Sequence, residues 1–231
     1  MESSQPTKVK IALIGATGAI GKEIVRHAKK DARIEELCLV VRKRLDEWKD
    51  EDFTCKLKVI AMDNFDDLSP LRDQLQGYDA FLCTLGTRVK VGEELFKKVD
   101  YEYPLNFGRV GLQCGAQYYG LLSSTGAKAS SWFLYMRTKG EVERDAAKLG
   151  YKHLAIHRPG LLMNRDNDER IGEKIFSKVP FISKIEATDM GLAMLDHAIK
   201  GSLNKAGEAK TEILSNDDLL RFSRGLKDQK L

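Results

Sequence analysis

The segment Gly15-Ala16-Thr17-Gly18-Ala19-Ile20-Gly21 limits what this chain can fold into more than any other stretch. An apolar run, Val9 to Ile14, leads into it, and an amphipathic run, Ile20 to Lys30, leads out. Strand, tight turn, helix is the order in which an α/β sheet opens a phosphate-binding loop. Glycine permits the sharp change of direction. A residue without Cβ also lets the backbone approach a pyrophosphate closely. The N–H groups that start the new helix, with its dipole behind them, then face the phosphates. Ile20, Ile24, Val25 and Ala28 share one helix face, which suits packing on a sheet. The spacing is G-x-x-G-x-x-G rather than the commoner G-x-G-x-x-G. No Gly-Lys-Ser/Thr follows, which argues against a nucleoside-triphosphatase loop. The turn therefore predicts a dinucleotide held at Gly15 to Ile20; the plainer alternative is an ordinary strand–helix turn.

Size and charge narrow the classes. At 231 residues, 42% hydrophobic and 31% charged, the chain suits one globular domain spanning 1–231. A net charge of +4, with Lys and Arg spread along the chain, offers no basic block for nucleic acid. No apolar run approaches the roughly 20 residues of a membrane span. Met1 to Lys10 has neither the apolar core of a secretion signal nor the Arg-rich character of a transit peptide, so the expected location is cytoplasmic. Cys38, Cys55, Cys83 and Cys114 make no C-x-x-C pair and read as reduced, mostly buried thiols. His27, His153, His157 and His197 show no metal-ligand spacing along the chain, so no metal is expected.

Strand-like and helix-like segments alternate. Short apolar runs at Lys10–Ile14, Leu37–Val41, Lys58–Met62, Ala80–Leu85, Tyr118–Leu122, His153–His157 and Glu212–Leu214 predict strands buried on both faces of a parallel sheet. Helices are predicted at Gly18–Lys30, Asp66–Leu75, Glu93–Cys114, with a kink or break at Pro104, and Phe133–Leu149. Two more follow: Ala187–Lys200, and a short one capped by Ser215. The alternation implies right-handed crossovers and a doubly wound sheet. Residues 161–186 break the pattern and predict a small cover on the substrate side. Within it Ile175, Phe176, Val179, Phe181 and Ile182 are candidates for an apolar pocket or, more plainly, for core packing.

Ser124, Tyr135 and Lys139 carry the chemistry. Tyr135-Met136-Arg137-Thr138-Lys139 places a phenol and an ammonium four apart on one helix face. Ser124 ends the fifth strand, at the sheet edge where ligands bind. Hydride transfer to a carbonyl makes an alkoxide that must be protonated. A free phenol titrates near 10. An ammonium about 4 Å away favours the phenolate by about 4 kcal/mol at an effective dielectric of about 20, before desolvation. The serine hydroxyl would hold the carbonyl oxygen, and Lys139 would also reach the cofactor ribose. A Tyr-x-x-x-Lys spacing alone arises by chance in such a composition; its place after a serine-ended strand gives it weight. Gly140, costly inside a helix, predicts close packing there, whereas Glu141, Glu143 and Arg144 read as an exposed face.

Cofactor choice is legible at the end of the second strand, Val41-Arg42-Lys43-Arg44. An acidic residue there would accept from the 2′-hydroxyl of NAD. The guanidinium groups of Arg42 and Arg44 suit a 2′-phosphate instead, so NADP is expected. A solvated basic loop is the alternative.

Taken together, Gly15 to Gly21, Cys83 to Arg88, Leu122 to Ala127, Tyr135 to Glu141 and Arg158-Pro159-Gly160 resemble the short-chain dehydrogenase/reductases. The likeness is to the extended or atypical branch, and above all to members typified by the Tat-interactive protein and its fungal relatives. That resemblance implies an NAD(P)-binding Rossmann fold. It implies that Thr17, Gly18, Ala19 and Ile20 line the pyrophosphate and that Asp63 reaches the adenine. It places Leu85, Gly86 and Thr87 behind the adenosine ribose, and Pro159 and Gly160 near the nicotinamide. Asn106 lies near the place where many relatives use an asparagine for proton relay. Two functions follow: an NADP-dependent reductase of a small or medium carbonyl substrate, or an NADPH-binding regulator that engages a protein partner without turnover.

Overall fold

In the computed structural model, which describes residues 8–163, 183–204 and 208–228, the apolar runs line up as a seven-stranded, all-parallel sheet. The strands are β1 (Val9–Ile14), β2 (Ile34–Val41), β3 (Lys56–Ala61), β4 (Ala80–Cys83), β5 (Tyr118–Leu122), β6 (His153–His157) and, near the chain end, β9 (Lys210–Leu214). Their order is β3-β2-β1-β4-β5-β6-β9. The order reverses between β1 and β4, which pair with Ile11 opposite Ala80. In such sheets ligands bind beyond the strand ends at that reversal.

Both faces are covered, as the unalternating apolar strands require. On one face lie α1 (Ala19–Ala28), α6 (Ala187–Leu203) and α7 (Asn216–Asp228), packing Ile24, Val25, Met190, Met194 and Leu219 onto the sheet. On the other lie α2 (Leu71–Gln74), α4 (Tyr103–Gln113) and α5 (Leu134–Ala146), contributing Leu71, Phe107, Val110 and Val142. Each such side chain is worth about 1.5–3 kcal/mol of burial. All four cysteines are free and buried. Among the described residues, no helix is long and apolar enough to cross a membrane.

Two expected helices differ in their details. Only Leu71–Gln74 of the segment 66–75 is α-helical. Ahead of it, Asn64 and Asp67 accept hydrogen bonds from the backbone N–H groups two residues on, which competes with helix formation. The segment 93–114 is helical throughout but not uniformly. It comprises α3 (Glu93–Lys97), a wide π turn (Lys98–Glu102) and α4. Pro104 falls in the first turn of α4, directly after the wide turn, and with no N–H it cannot carry an α-type ladder back across that turn. Such wide turns are frequent at functional sites.

Within 161–186, β7 (Leu161–Met163) and β8 (Lys184–Glu186) form a small parallel ladder of their own. Residues 164–182, which include Ile175, Phe176, Val179, Phe181 and Ile182, lie outside the described residues. Ser215 caps α7 as expected: its hydroxyl accepts from the Asp218 N–H, and its own N–H donates to the Asp218 carboxylate.

Gly140 meets the expectation of close packing. A Cβ there would lie 2.1 Å from the Ala129 nitrogen and 2.3 Å from the Lys128 carbonyl carbon. The loop after β5 therefore rests directly on α5. Gly140→Ala should lower stability by about 1–3 kcal/mol through overpacking, against the roughly 1 kcal/mol by which alanine favours a helix. Urea unfolding measures it, and an unchanged midpoint would contradict this contact.

Candidate active site

The cofactor turn is built by two glycines and left open by a third. Gly15 has φ +91°, and a Cβ there would lie 2.8 Å from the Thr84 carbonyl carbon just beyond β4. A Cβ on Gly21 would lie 2.1 Å from the Gly15 oxygen. Gly18 differs, since its nearest neighbour would be the Gly15 oxygen at 3.4 Å. The protein itself barely needs glycine there; a group docked against the turn would. The first i→i−4 bond of α1 runs from Lys22 N to the Gly18 oxygen. The N–H groups of Ala19, Ile20 and Gly21 thus have no partner within the helix. The Ile20 side chain is buried in the core, so only its backbone faces the turn.

A cleft of about 450 Å³ opens above this turn, at the reversal of strand order. Gly15, Thr17, Gly18, Arg42, Lys43, Asp63, Leu85, Gly86 and Thr87 line it. Free N–H groups at a helix start, a glycine with no packing need and cations at the far wall fit a dinucleotide phosphate. Arg44, also expected there, is not among the residues that line the cleft. Its guanidinium bonds the Trp48 carbonyl at 2.9 Å and the Asp50 carboxylate at 3.1 Å, within its own loop. Lys43, next to it, lines the cleft instead. Pro159 is buried beyond β6, and its carbonyl accepts from the Thr125 N–H at 2.9 Å.

Ser124, Tyr135 and Lys139 stand where the strand-end and helix positions predict. Ser124 follows β5, half-buried, and among the described residues its hydroxyl bonds only the Thr125 carbonyl, at 3.2 Å. Tyr135 lies in the first turn of α5, its ring 6.0 Å from that of Phe96. Among the described residues its hydroxyl has no hydrogen-bond partner. Lys139, one turn on, is buried, and its ammonium sits 2.8 Å from the Asp100 carboxylate, which is buried too. Burial alone would push the Lys139 pKa down. The charge of Asp100, with a smaller contribution from Tyr135, more than offsets this and holds it above the ordinary lysine value.

Comparison with known proteins adds the family. No family model matches the chain. Protein FMP52, mitochondrial, of Candida albicans is 33% identical over 228 residues, covering 93% of this chain and 98% of that protein. Protein HTATIP2 of Rattus norvegicus is 29% identical over 226 residues, covering 96% and 92%. The chain belongs to the FMP52 and HTATIP2 family of atypical short-chain dehydrogenase/reductases. Solved structures agree on the fold. A short-chain dehydrogenase/reductase of Saccharomyces cerevisiae, YIR035C, superposes with TM-score 0.67 at 14% identity, over 93% of this chain and 99% of that one. MoeE5 in complex with UDP-glucose and NAD does so with TM-score 0.68 at 13% identity, over 95% and 82%.

The FMP52-like relatives also correct the cytoplasmic expectation, since those of Candida albicans and Saccharomyces cerevisiae are named mitochondrial. That expectation rested on the lack of an Arg-rich amphipathic segment. Organelle association by other routes leaves no such periodicity.

In this short-chain dehydrogenase/reductase the group beside Lys139 is Asp100, not Asn106. Asn106 is occupied with Arg109 at 2.7 Å. Asp100 sits on the wide turn, and its second oxygen accepts the Thr87 N–H at 2.8 Å. It thereby joins the cleft loop to the lysine. A Cβ on Gly86 would lie 3.4 Å from the other oxygen, so that loop lies directly on the pair. Glu143, expected on an exposed face, is buried. It accepts the Ser123 hydroxyl and both nitrogens of an Arg158 fork, one at 2.9 Å, clamping the end of β5 to the end of β6. Nothing in the spacing of the chain singles out Asp100, Glu143 or Lys43.

Removing one partner of a buried ion pair costs about 3–5 kcal/mol, because the other charge is left unpaired. Asp100→Leu should therefore destabilise the protein by about that much in urea unfolding. Asp100→Leu with Lys139→Met should recover most of it. A double variant no more stable than the single one would show that the pair is not the source of the loss.

Proposed function

We propose that the chain is an NADP-dependent reductase that delivers hydride to the carbonyl of a small or medium organic molecule, with Tyr135 as the proton donor. One observation carries this reading: a buried lysine, kept charged by Asp100, one helical turn from a tyrosine whose hydroxyl has no partner among the described residues. A purely structural Tyr-x-x-x-Lys pair has no use for a desolvated ammonium at that place. NADPH supplies the hydride when bound. The chain's residues do the rest. Ser124 donates to the carbonyl oxygen and fixes its position. Tyr135 gives its proton to the oxygen as negative charge grows there, and the Lys139 ammonium stabilises the phenolate left behind. Asp100 secures the charge of Lys139 against its burial, and through Thr87 sets the cleft loop relative to it. Arg42 and Lys43, at the end of β2 where no carboxylate lies, favour a 2′-phosphate and hence NADP over NAD.

The names of the FMP52 relatives support a mitochondrial site of action for this activity. A second reading, a dinucleotide-dependent regulator that engages a protein, is favoured by Trp132 and Phe133. They are 96% and 77% exposed and stand just before Tyr135.

Two experiments separate these. Arg42→Asp with Lys43→Asp should weaken NADPH binding at least about tenfold while leaving NADH nearly unchanged. Arg44→Ala, whose side chain serves its own loop, should bind NADPH like the parent. Equal loss in both variants would overturn the cofactor assignment. Tyr135→Phe should lower the turnover of a responsive carbonyl substrate by about 100-fold or more while keeping thermal stabilisation by NADPH, about 2.7 kcal/mol at a hundredfold excess over Kd. Unchanged turnover would remove Tyr135 from the mechanism.

A further inference from the structure

The opposite edge of the sheet holds a second cavity, of about 650 Å³. Because every strand runs the same way, the residues that begin β5, β6 and β9 lie at that edge, away from the cofactor turn. Three side chains converge on the cavity wall: His153 from the start of β6, His197 from α6 and Glu212 from β9. Nε2 of His153 lies 3.0 Å and Nε2 of His197 lies 3.4 Å from one oxygen, Oε2 of Glu212. The donor atoms of all three residues lie within 4.8 Å of one another. Metal bonds of about 2.0–2.1 Å in tetrahedral geometry put neighbouring ligand atoms about 3.3 Å apart, so both measured pairs already have that spacing.

The surroundings hold these groups in place. Behind His197, the buried Tyr118 hydroxyl lies 2.8 Å from Nδ1, which leaves Nε2 to face Glu212. Over His153 the backbone of α6 passes so closely that a Cβ on Gly201 would lie 2.8 Å from Nδ1. Two of the three lysines that line the cavity are engaged with carboxylates: Lys200 with Asp196 at 2.7 Å, and Lys210 with Glu212 Oε2 itself at 2.8 Å. Lys210 is half exposed, and its ammonium bonds the same carboxylate oxygen that the two imidazoles face.

We propose that His153, His197 and Glu212 form a site for a divalent transition metal, zinc above all, with Lys210 as an internal cation that the metal displaces. Two imidazoles and one carboxylate are a zinc-binding set, and the cavity leaves its remaining positions to water. The ion would tie β6, α6 and the edge strand β9 together. The spacing of the histidines along the chain does not show this, because each ligand comes from a different element.

The test uses the full chain, stripped with a chelator and titrated with Zn²⁺ by calorimetry, and with Co²⁺ followed by its visible absorption. One equivalent per chain is expected, with the Co²⁺ band of a four-coordinate site. His153→Ala and Glu212→Gln should each weaken binding by more than the roughly 10–100-fold that loss of a group behind a ligand costs. Circular dichroism and the urea midpoint establish that each variant is folded. Lys210→Ala alters an exposed side chain and tests the site independently of the ligands. It should strengthen binding, by roughly tenfold, because it removes a competing positive charge. Uptake well below one equivalent by the parent chain would overturn the proposal. So would binding that none of the three substitutions alters, the mark of ions adsorbed elsewhere on the surface.

Discussion

The buried pair of Lys139 and Asp100 is the constraint around which the candidate site is arranged. An ammonium out of water is expensive, and here it is tolerated because a carboxylate sits 2.8 Å away. That carboxylate comes from the wide turn between α3 and α4 and also accepts the Thr87 N–H. One ion pair thus joins the helix that carries Tyr135, the turn that carries Asp100 and the loop that lines the cofactor cleft. Ser124 is fixed from the other side, by the Ser123–Glu143–Arg158 bonds at the ends of β5 and β6. Chemistry that requires atoms from several elements to hold their places is served by such cross-links more than by any single contact.

Much of this arrangement was legible in the chain. The strands could be read because strands buried on both faces are short apolar runs. The phosphate turn could be read because three glycines between a strand and a helix have few other uses. Ser124, Tyr135 and Lys139 could be read because two lie one helical turn apart and the third ends a strand. What escaped has a common cause: it depends on partners distant along the chain. Asp100 is one carboxylate among many until a wide turn aims it at Lys139. Glu143 reads as solvent-facing because its neighbours are charged, yet its partner Arg158 lies beyond the next strand. Arg44 was preferred to Lys43 for its guanidinium, but which of the two faces the cleft depends on a loop that Trp48 and Asp50 hold. The helix at 66–75 was cut short by side chains that bond their own backbone, a competition that apolar periodicity does not register.

The two edges of the sheet are used differently. At the carboxyl edge, glycines and helix N–H groups make a surface whose partners must come from outside the chain. At the amino edge, histidines, a tyrosine and a glutamate from different elements converge between the sheet and α6. The likeness of this protein to structures with only 13–14% identity concerns the shared scaffold. Fold alone does not specify activity.

The strand order also bears on how the chain reaches its native state. β1 precedes one of its two neighbours, β4, by a long stretch of chain, and Thr84 beyond β4 bonds back to the carbonyl of Ile14, 70 positions earlier. The last strand of the sheet, β9, forms close to the end of the chain. Non-local pairings of this kind are slow to form, because the loop must close before any contact rewards it. During synthesis β1 therefore waits with one open edge until its partner emerges. Such edges invite pairing with other chains. The parallel topology that places a ligand cleft at the centre of the sheet thus also makes the nascent polypeptide dependent on protection before it is complete.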